Sequence, residues 1–289
     1  MGAEYVRIMR PPPEIGASDL SPLEETALLT QYARALDSQW ARPILGDSLA
    51  ADIVDKIDYD FAGLGVPASV VCQTALRAKM LDERVRAFTA EHPDAVVVDL
   101  GAGLDSGPFR VQPPATVDWY SVDLPGVSAL RRQLLPPSKR AHVVTASLAD
   151  QSWPNSIPAD RPVMVIADGL FAFLSEPVLI AVFRRITTYF TSGELAFNDY
   201  GRIGWFTRLA VKLAPQRMFS TVGAQWGYPG FEDPRTPEKW NPALKLVDEV
   251  SLAHAPEVDL FPGWIRFATK VSGMFEVSAR KARILRYRF

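Results

Sequence analysis

Residues 96–110 read VVVDLGAGLDSGPFR: three valines run to Asp99, Gly101 and Gly103 bracket one alanine, and a second acid, Asp105, follows. A β-branched run that breaks into a glycine loop predicts a buried strand turning into a helix, where open α/β sheets bind nucleotides. The spacing departs from the dinucleotide fingerprint G-x-G-x-x-G, because Gly107 comes one residue late and Pro108 follows it. Asp99 and Asp105 would also set negative charge against a pyrophosphate. A ligand without phosphate and with a positive centre meets no such objection. S-adenosylmethionine, an adenosine joined through a sulfonium to an amino acid, is such a ligand. Asp99 can accept from its ammonium group or order nearby water, and the stretch Gly101, Ala102, Gly103 lets the backbone approach.

Working outward, the segments 117–124, 141–148, 162–170 and 193–200 are further strand candidates, and ARILRYRF at the end of the chain predicts a last one. Helical stretches lie between them, Glu176 to Phe190 among them, so the expected fold is α/β, an open, doubly wound, mostly parallel sheet. Upstream, Ser21 is a candidate N-cap with Pro22 at the first helical position, and helices are expected from Ser21, over 47–57 and over 69–91. The expected organisation is an extended arm over 1–20, a helical cap over 21–92 and a core over 93–289. A Gly-, Pro- and aromatic-rich lid insertion is expected at about 201–250.

Strand ends supply the remaining candidates. Asp123, with Leu124 after it, stands about twenty residues past the loop, where an acid can take both ribose hydroxyls; alternatively it caps the helix LPGVSALRRQLL. Ser147 and Leu148 can flank an adenine, and Asp168 enters the same crevice. Acids converging on one edge are costly without partners, which favours a polar, partly cationic ligand.

The composition excludes several classes. The 289 residues are 48% hydrophobic and 22% charged with a formal charge of −2 and a pI of about 6.0, so no bulk field favours nucleic acid or an anionic surface. One cysteine, Cys72, and three scattered histidines leave no disulfide framework and no metal-binding spacing. No apolar run approaches the ~18 residues that a spanning helix needs. A soluble, cytoplasmic protein is expected, with a small-molecule partner and no membrane or nucleic-acid partner. The apolar face of IGWFTRLAVKL is expected to mark either a homodimer face or a lid hinge.

Taken in series, TALLTQYARALDSQWARPILGDSLAADIVDKIDYDF, ALRAKMLDERVRAF, VVVDLGAGLDSGPFR, WYSVDLPGVSALRRQLL, SLADQSW and ADGLFAFL resemble the leucine carboxyl methyltransferase family. The resemblance is to its bacterial branch, similar to polyketide-biosynthesis O-methyltransferases of the tetracenomycin type, and runs from about Glu25 to the C-terminus. It implies a Rossmann-like class I methyltransferase sheet and S-adenosylmethionine as cofactor, with S-adenosylhomocysteine as product. It also implies cofactor contacts at Arg77, Gly101, Gly103, Asp123, Ser147, Leu148 and Asp168. Arg77 would pair with the cofactor carboxylate through its planar fork; the other reading is an exposed helical arginine bridging a nearby acid. Asp82 is expected to be structural. The chain departs from the family pattern at Gly107, where an arginine is usual, at Asp168, where glutamate is usual, and at Phe173, where tyrosine is common.

The expected activity is O-methylation of a small natural product, a polyketide-like or aromatic carboxylate or hydroxyl. No catalytic dyad stands out, as befits a reaction in which the protein chiefly positions the acceptor. His254 is the one histidine near the expected lid, as a base or as a structural residue. Tyr32, Arg202, Arg208, Trp205, Trp226 and Tyr228 are candidates to line an acceptor pocket, or simple packing residues. The competing readings are carboxyl methylation of a protein C-terminus and a methyltransferase fold that binds the cofactor without methylating. An NAD-dependent reductase is disfavoured by the glycine spacing and Asp105.

Overall fold

The computed structural model describes residues 15–16, 20–201 and 226–289. Its centre is a seven-stranded sheet of β1 (Val96–Leu100), β2 (Asp118–Asp123), β3 (Ala141–Thr145), β4 (Val163–Ala167), β5 (Gly193–Asp199), β6 (Lys245–Ser251) and β7 (Arg283–Arg288). The order across the sheet is β3-β2-β1-β4-β5-β7-β6, with β1 to β5 parallel and β7 antiparallel to both its neighbours. β1, β4 and β5 are buried along their whole length, which is why they read as unbroken apolar runs rather than alternating ones. The chain reverses its direction of growth at β1. There Leu100 is level with Val122 on one side and Ala167 on the other, so the crevice beyond these ends is the switch point of the sheet.

Helices cover both faces. On one, α6 (Glu176–Tyr189) sets Leu179, Val182, Phe183 and Ile186 against Val96, Val98 and Leu100. On the other, α3 (Ala68–Glu91) sets Leu76, Leu81 and Val85 against Val97, Met164 and Ile166. The period-two alternation of a strand divides β1 between these cores and leaves Asp99 on the α3 side.

A third cluster joins α1 (Glu25–Ser38) and α2 (Ser48–Asp55) to the sheet. Leu28, Leu29 and Ile53 pack on Leu104 of the glycine loop, which runs into the short helix α4 (Gly107–Val111), and on Val127 and Leu130 of α5 (Pro125–Leu134). Ser21 makes a reciprocal capping pair with Glu24: Glu24 Oε2 accepts from the Ser21 N–H at 3.0 Å. The helix itself begins at Glu25, after a turn. The three expected upstream helices are therefore present, with α2 and α3 close to their expected bounds.

Residues 202–225 of the expected insertion lie outside the described residues. From Trp226 the chain returns to the core: Tyr228, Phe231 and Leu244 join the α6-side cluster, a short helix α7 (Thr236–Trp240) follows, and β6 forms the sheet edge. Past β6, α8 (Gly263–Gly273) and α9 (Glu276–Ala279) lead into β7. Among the described residues no helix is long and apolar enough to cross a membrane.

Candidate functional site

Where β1 ends, Gly101 and Gly103 adopt φ of +63° and +55°, left-handed values that cost a side-chain-bearing residue about 1–2 kcal/mol. A Cβ on Gly101 would also come within 2.8 Å of Leu170. The turn is held by its neighbours. The Gly101 N–H donates to the Val122 carbonyl at 2.8 Å, and Arg131 Nη1 donates to the Gly103 carbonyl at 3.0 Å. Asp123 accepts from the Gly103 N–H through Oδ2 and from the Leu124 N–H through Oδ1, both at 2.7 Å. The N-terminus of α5 is capped from elsewhere: Glu24 Oε1 accepts from the Gly126 N–H at 2.8 Å. Asp123 thus clips the glycine loop, and each of its oxygens keeps a lone pair for a further donor.

Asp105 belongs to an ion cluster beneath the loop. Arg110 Nη1 approaches its Oδ1 at 2.6 Å and Asp47 Oδ2 at 2.8 Å, while Nε and Nη2 grip Asp82 at 2.7 and 3.0 Å. Asp82 is therefore structural. The departure at Gly107 has a steric reason, since a Cβ there would stand 3.0 Å from the Trp119 ring; the arginine serving this loop comes three residues later. Burial works against the Asp105 charge, but Arg110 and Arg34 outweigh it and hold the carboxyl well below the usual range. Asp99 goes the other way. Burial, with Asp105 beside it, pushes its carboxyl up to about 8, against the pull of Arg131 and Arg34.

Above the strand ends lies a cavity of about 780 Å³, in the upper part of the ~300–1,000 Å³ usual for small-molecule sites. All the cofactor candidates meet in its wall: Arg77, Asp99, Gly101, Ala102, Gly103, Asp123, Leu124, Ser147, Leu148 and Asp168. Arg77, 6% exposed, reaches across from α3, donating from Nε to Asp168 at 2.8 Å and from Nη1 to the Tyr200 hydroxyl at 2.6 Å. Burial opposes its charge, but Asp168 and Tyr200 keep it protonated well above the ordinary range. It does bridge an acid, then, but as a buried residue of the cavity wall.

The acceptor candidates separate. Trp226 lines the cavity. Tyr32 instead packs on Phe61 with ring centroids 5.3 Å apart, and Tyr228 is buried in the core against Phe231 at 5.0 Å. Arg202, Trp205 and Arg208 lie outside the described residues. His254 is exposed, its Nε2 2.9 Å from the Gly273 carbonyl, and does not line the cavity. Sequence reasoning missed Arg34, Tyr200 and Lys281, which do line it. Arg34 shares the buried face of α1 with Leu28, Leu29, Gln31, Ala33, Ala35 and Asp37, a mixed face that does not single it out. Tyr200 and Lys281 carried no signal either.

This wall suits an adenosyl amino acid. Asp123 has acceptor capacity for ribose hydroxyls, Asp99 offers a carboxylate to an ammonium group, and the glycine turn leaves room for close approach. A pyrophosphate would meet Asp99, Asp105, Asp123 and Asp168 instead.

Comparison with known proteins agrees. The sequence profile of the family described as leucine carboxyl methyltransferase matches residues 27–187. The chain is 35% identical over 237 residues to the tetracenomycin polyketide synthesis O-methyltransferase TcmP of Streptomyces glaucescens, covering 82% of this chain and 86% of that one. It is 29% identical over 285 residues to the S-adenosyl-L-methionine-dependent methyltransferase dpfgK of Gibberella zeae, covering 92% and 94%. Among solved structures, a Thermobifida fusca protein assigned to the methyltransferases superposes with a TM-score of 0.54 at 17% identity, covering 89% of this chain and 93% of that one. That likeness supports the class I fold. With the glycine turn, the acids at the strand ends and the family profile all in agreement, the chain belongs to the leucine carboxyl methyltransferase family and is an S-adenosylmethionine-dependent methyltransferase.

Proposed function

We propose that the chain methylates an oxygen of a small, largely apolar natural product, polyketide-like or aromatic, whose acceptor oxygen is already ionised or readily ionised: a carboxylate or an acidic hydroxyl. The observation that carries this reading is the state of the titratable groups in the cavity wall. No histidine lines it among the described residues. Its acids are engaged: Asp168 by Arg77, Asp123 by two backbone N–H groups, Asp105 by Arg110, and Glu24 by Ser21 and Gly126. Among the described residues Asp99 alone makes no such contact, and in this reading it is taken by the ammonium group of the cofactor rather than by the acceptor. An acceptor that had to lose a proton from an unactivated hydroxyl would find no free base here, whereas a carboxylate is ionised at neutral pH without help.

The cofactor, when bound, supplies a methyl group already activated by its sulfonium. The chain's own residues then have three tasks. Asp123 and the glycine turn fix the ribose end, and Ser147 and Leu148 flank the base. Leu23, Val70, Leu170, Phe173, Leu174 and Val178, all in the cavity wall, present an apolar surface that orients a hydrophobic acceptor and excludes water. Lys281, an exposed residue of the same wall, offers a cation to an anionic acceptor. The similarity to TcmP, a tetracenomycin polyketide synthesis O-methyltransferase, supports the substrate class.

The test is turnover with S-adenosylmethionine on paired aromatic acceptors, one with a free carboxyl and one with only an alkyl alcohol, read by mass spectrometry as the gain of one methylene equivalent. Methylation of the acid but not of the alcohol is expected. Methylation of the alcohol alone overturns the reading.

A further inference from the structure

Helix α8 and the turn into α9 carry an apolar stripe that faces water. Among the described residues the large apolar side chains left exposed are Val247 and six others, all on this one segment: Trp264, Phe267, Val271, Met274, Phe275 and Val277. Trp264 and Phe267 are 72% exposed, Met274 79% and Val277 78%. Steps of three and four residues set Trp264, Phe267, Val271 and Met274 on one side of the helix. A surface helix ordinarily turns such a stripe to the core, yet of the eleven residues of α8 only Ile265 is buried. Single exposed apolar residues are ordinary on a protein surface, whereas a contiguous patch of them marks an interaction site.

Charge and area both bear on what covers the stripe. The basic groups at its edge are matched by acids: Lys270 Nζ stands 2.5 Å from Asp259 Oδ1, and Arg280 reaches Glu276 at 3.0 Å and Glu249 at 3.5 Å. Arg266 is turned to the Asp259 carbonyl. An anionic lipid surface is recognised by a basic excess, which neither this rim nor a chain of formal charge −2 supplies. A rim of both signs can instead meet its own copy turned about a two-fold axis. The area agrees. Covered aromatic side chains bury about 150–250 Å² each, so Trp264, Phe267 and Phe275 at their exposures supply on the order of 400 Å². That is about half of the ~800 Å² that each side of a stable interface buries, and Val271, Met274, Val277 and the flanking polar residues stand beside them to supply the rest.

We propose that α8 and α9 form the face of a homodimer, in which the stripe of one copy packs on the same stripe of a second copy about a two-fold axis. This face is distinct from IGWFTRLAVKL, for which the sequence left a homodimer face or a lid hinge open and which lies outside the described residues. The helical part of the face ends at Ala279, two residues before Lys281 of the cavity wall, and none of its apolar side chains lines the cavity. The inference therefore stands apart from the reading of the cavity.

The experiment is sedimentation equilibrium on the full chain between about 1 and 100 µM, the range in which a specific dimer of this size dissociates or holds. The wild type should reach twice the 31.9 kDa of one chain. Phe267→Asp and Met274→Asp each set two like charges into a symmetric apolar interface and should raise the dimer dissociation constant roughly a hundredfold or more. Both positions are exposed, so the circular dichroism spectrum should be that of the wild type, which separates loss of the interface from loss of the fold. A wild type that stays monomeric over the whole range, or a dimer equally tight in both variants, overturns the proposal. A monomer that floats with phosphatidylcholine vesicles overturns it too and gives the stripe to lipid.

Discussion

Two arginines of this chain are almost equally buried and are treated in opposite ways. Arg283, 1% exposed on β7, donates from Nε to Asp199 at 2.9 Å, from Nη1 to Glu249 at 2.5 Å and from Nη2 to the Phe231 carbonyl at 2.6 Å. It closes the seam between β5, β6 and the chain returning from Trp226. Arg34, 3% exposed on α1, has no hydrogen-bond partner for Nε or Nη1 among the described residues and approaches Asp105 Oδ2 at 3.6 Å. The antiparallel edge of the sheet is complete in itself. The crevice beyond the parallel strands leaves Asp99 without a side-chain hydrogen bond among the described residues and Asp123 with spare lone pairs. Where a fold leaves buried charge unsatisfied next to a cavity, the missing partner is most simply the ligand.

The largest expected effect tests the self-sufficient region. Arg283→Met leaves Asp199 buried and unpaired, and breaking a buried pair in this way costs about 3–5 kcal/mol. Denaturant unfolding should show that loss, while the protein that remains folded binds S-adenosylhomocysteine as before. If the variant loses affinity without losing stability, the division between a structural seam and a binding crevice fails.

Next in size is Asp123→Ala. It removes a carboxylate that clips Gly103 and, in the proposed function, accepts from the ribose hydroxyls. Hydrogen bonds to charged groups contribute about 1.5–3 kcal/mol each, so affinity for S-adenosylhomocysteine should drop on the order of a hundredfold by calorimetry. Asp123→Asn keeps one acceptor and should lie between the two. Unchanged affinity in the alanine variant would leave Asp123 as a loop clip only.

Smaller, and specific to pH, is the effect of Asp99. Its folded carboxyl titrates near 8, far above the ordinary carboxylate range, because burial and Asp105 disfavour its charge. For an acid raised in this way the unfolded state ionises first. The stability that the neutral group allows is full below pH ~4, declines as pH rises and is gone above the folded value. Asp99→Asn should therefore melt higher than the ligand-free wild type by a margin that widens from pH 5 to pH 8. Binding has the opposite slope. An ammonium group facing Asp99 needs the carboxylate, so wild-type affinity for S-adenosylhomocysteine should rise from pH 6.5 to 8, by at most about tenfold per pH unit, and the variant should be flat. A wild type whose affinity falls over that range would place the ammonium elsewhere.

These contrasts also explain what could be seen in the sequence. β1, β4 and β5 announced themselves because burial on both faces demands unbroken apolar runs, and the loop after β1 because its two positive-φ positions favour glycine. Asp99, Asp123, Ser147 and Asp168 could be read onto one cavity wall because the ends of parallel strands lie in fixed order along the crevice, whereas Arg77, on α3, came from the family resemblance. β6 was not singled out: KLVDEVS is a half-exposed edge with a bulge between Leu246 and Asp248, and its pattern depends on partners in β7, such as Arg286 for Asp248. Tyr32 and Tyr228 were placed with the acceptor because an aromatic residue looks alike on a cavity wall and in a core; Tyr228 turned inward against Phe231 and Trp240. Whether an arginine is paired is a tertiary property, so nothing in ARALDSQW separates Arg34 from Arg283.

The smallest expected effect bears on the acceptor. His254→Ala removes an exposed ring whose contact is the Gly273 carbonyl at 2.9 Å. A surface substitution of this kind shifts stability by no more than about 0.5 kcal/mol, and kcat on a carboxylate acceptor should be unchanged, because the histidine is outside the cavity wall and such an acceptor needs no base. The informative measurement is kcat against pH with a phenolic acceptor, in both wild type and variant. Superimposable profiles, each following the ionisation of the phenol itself, are the outcome of a site that positions an oxygen already able to react. If the variant alone loses a limb near pH 6.5, the usual histidine value, a base acts from beyond the described wall, and the comparison between a self-contained seam and a ligand-completed crevice would have to include the surface that carries His254.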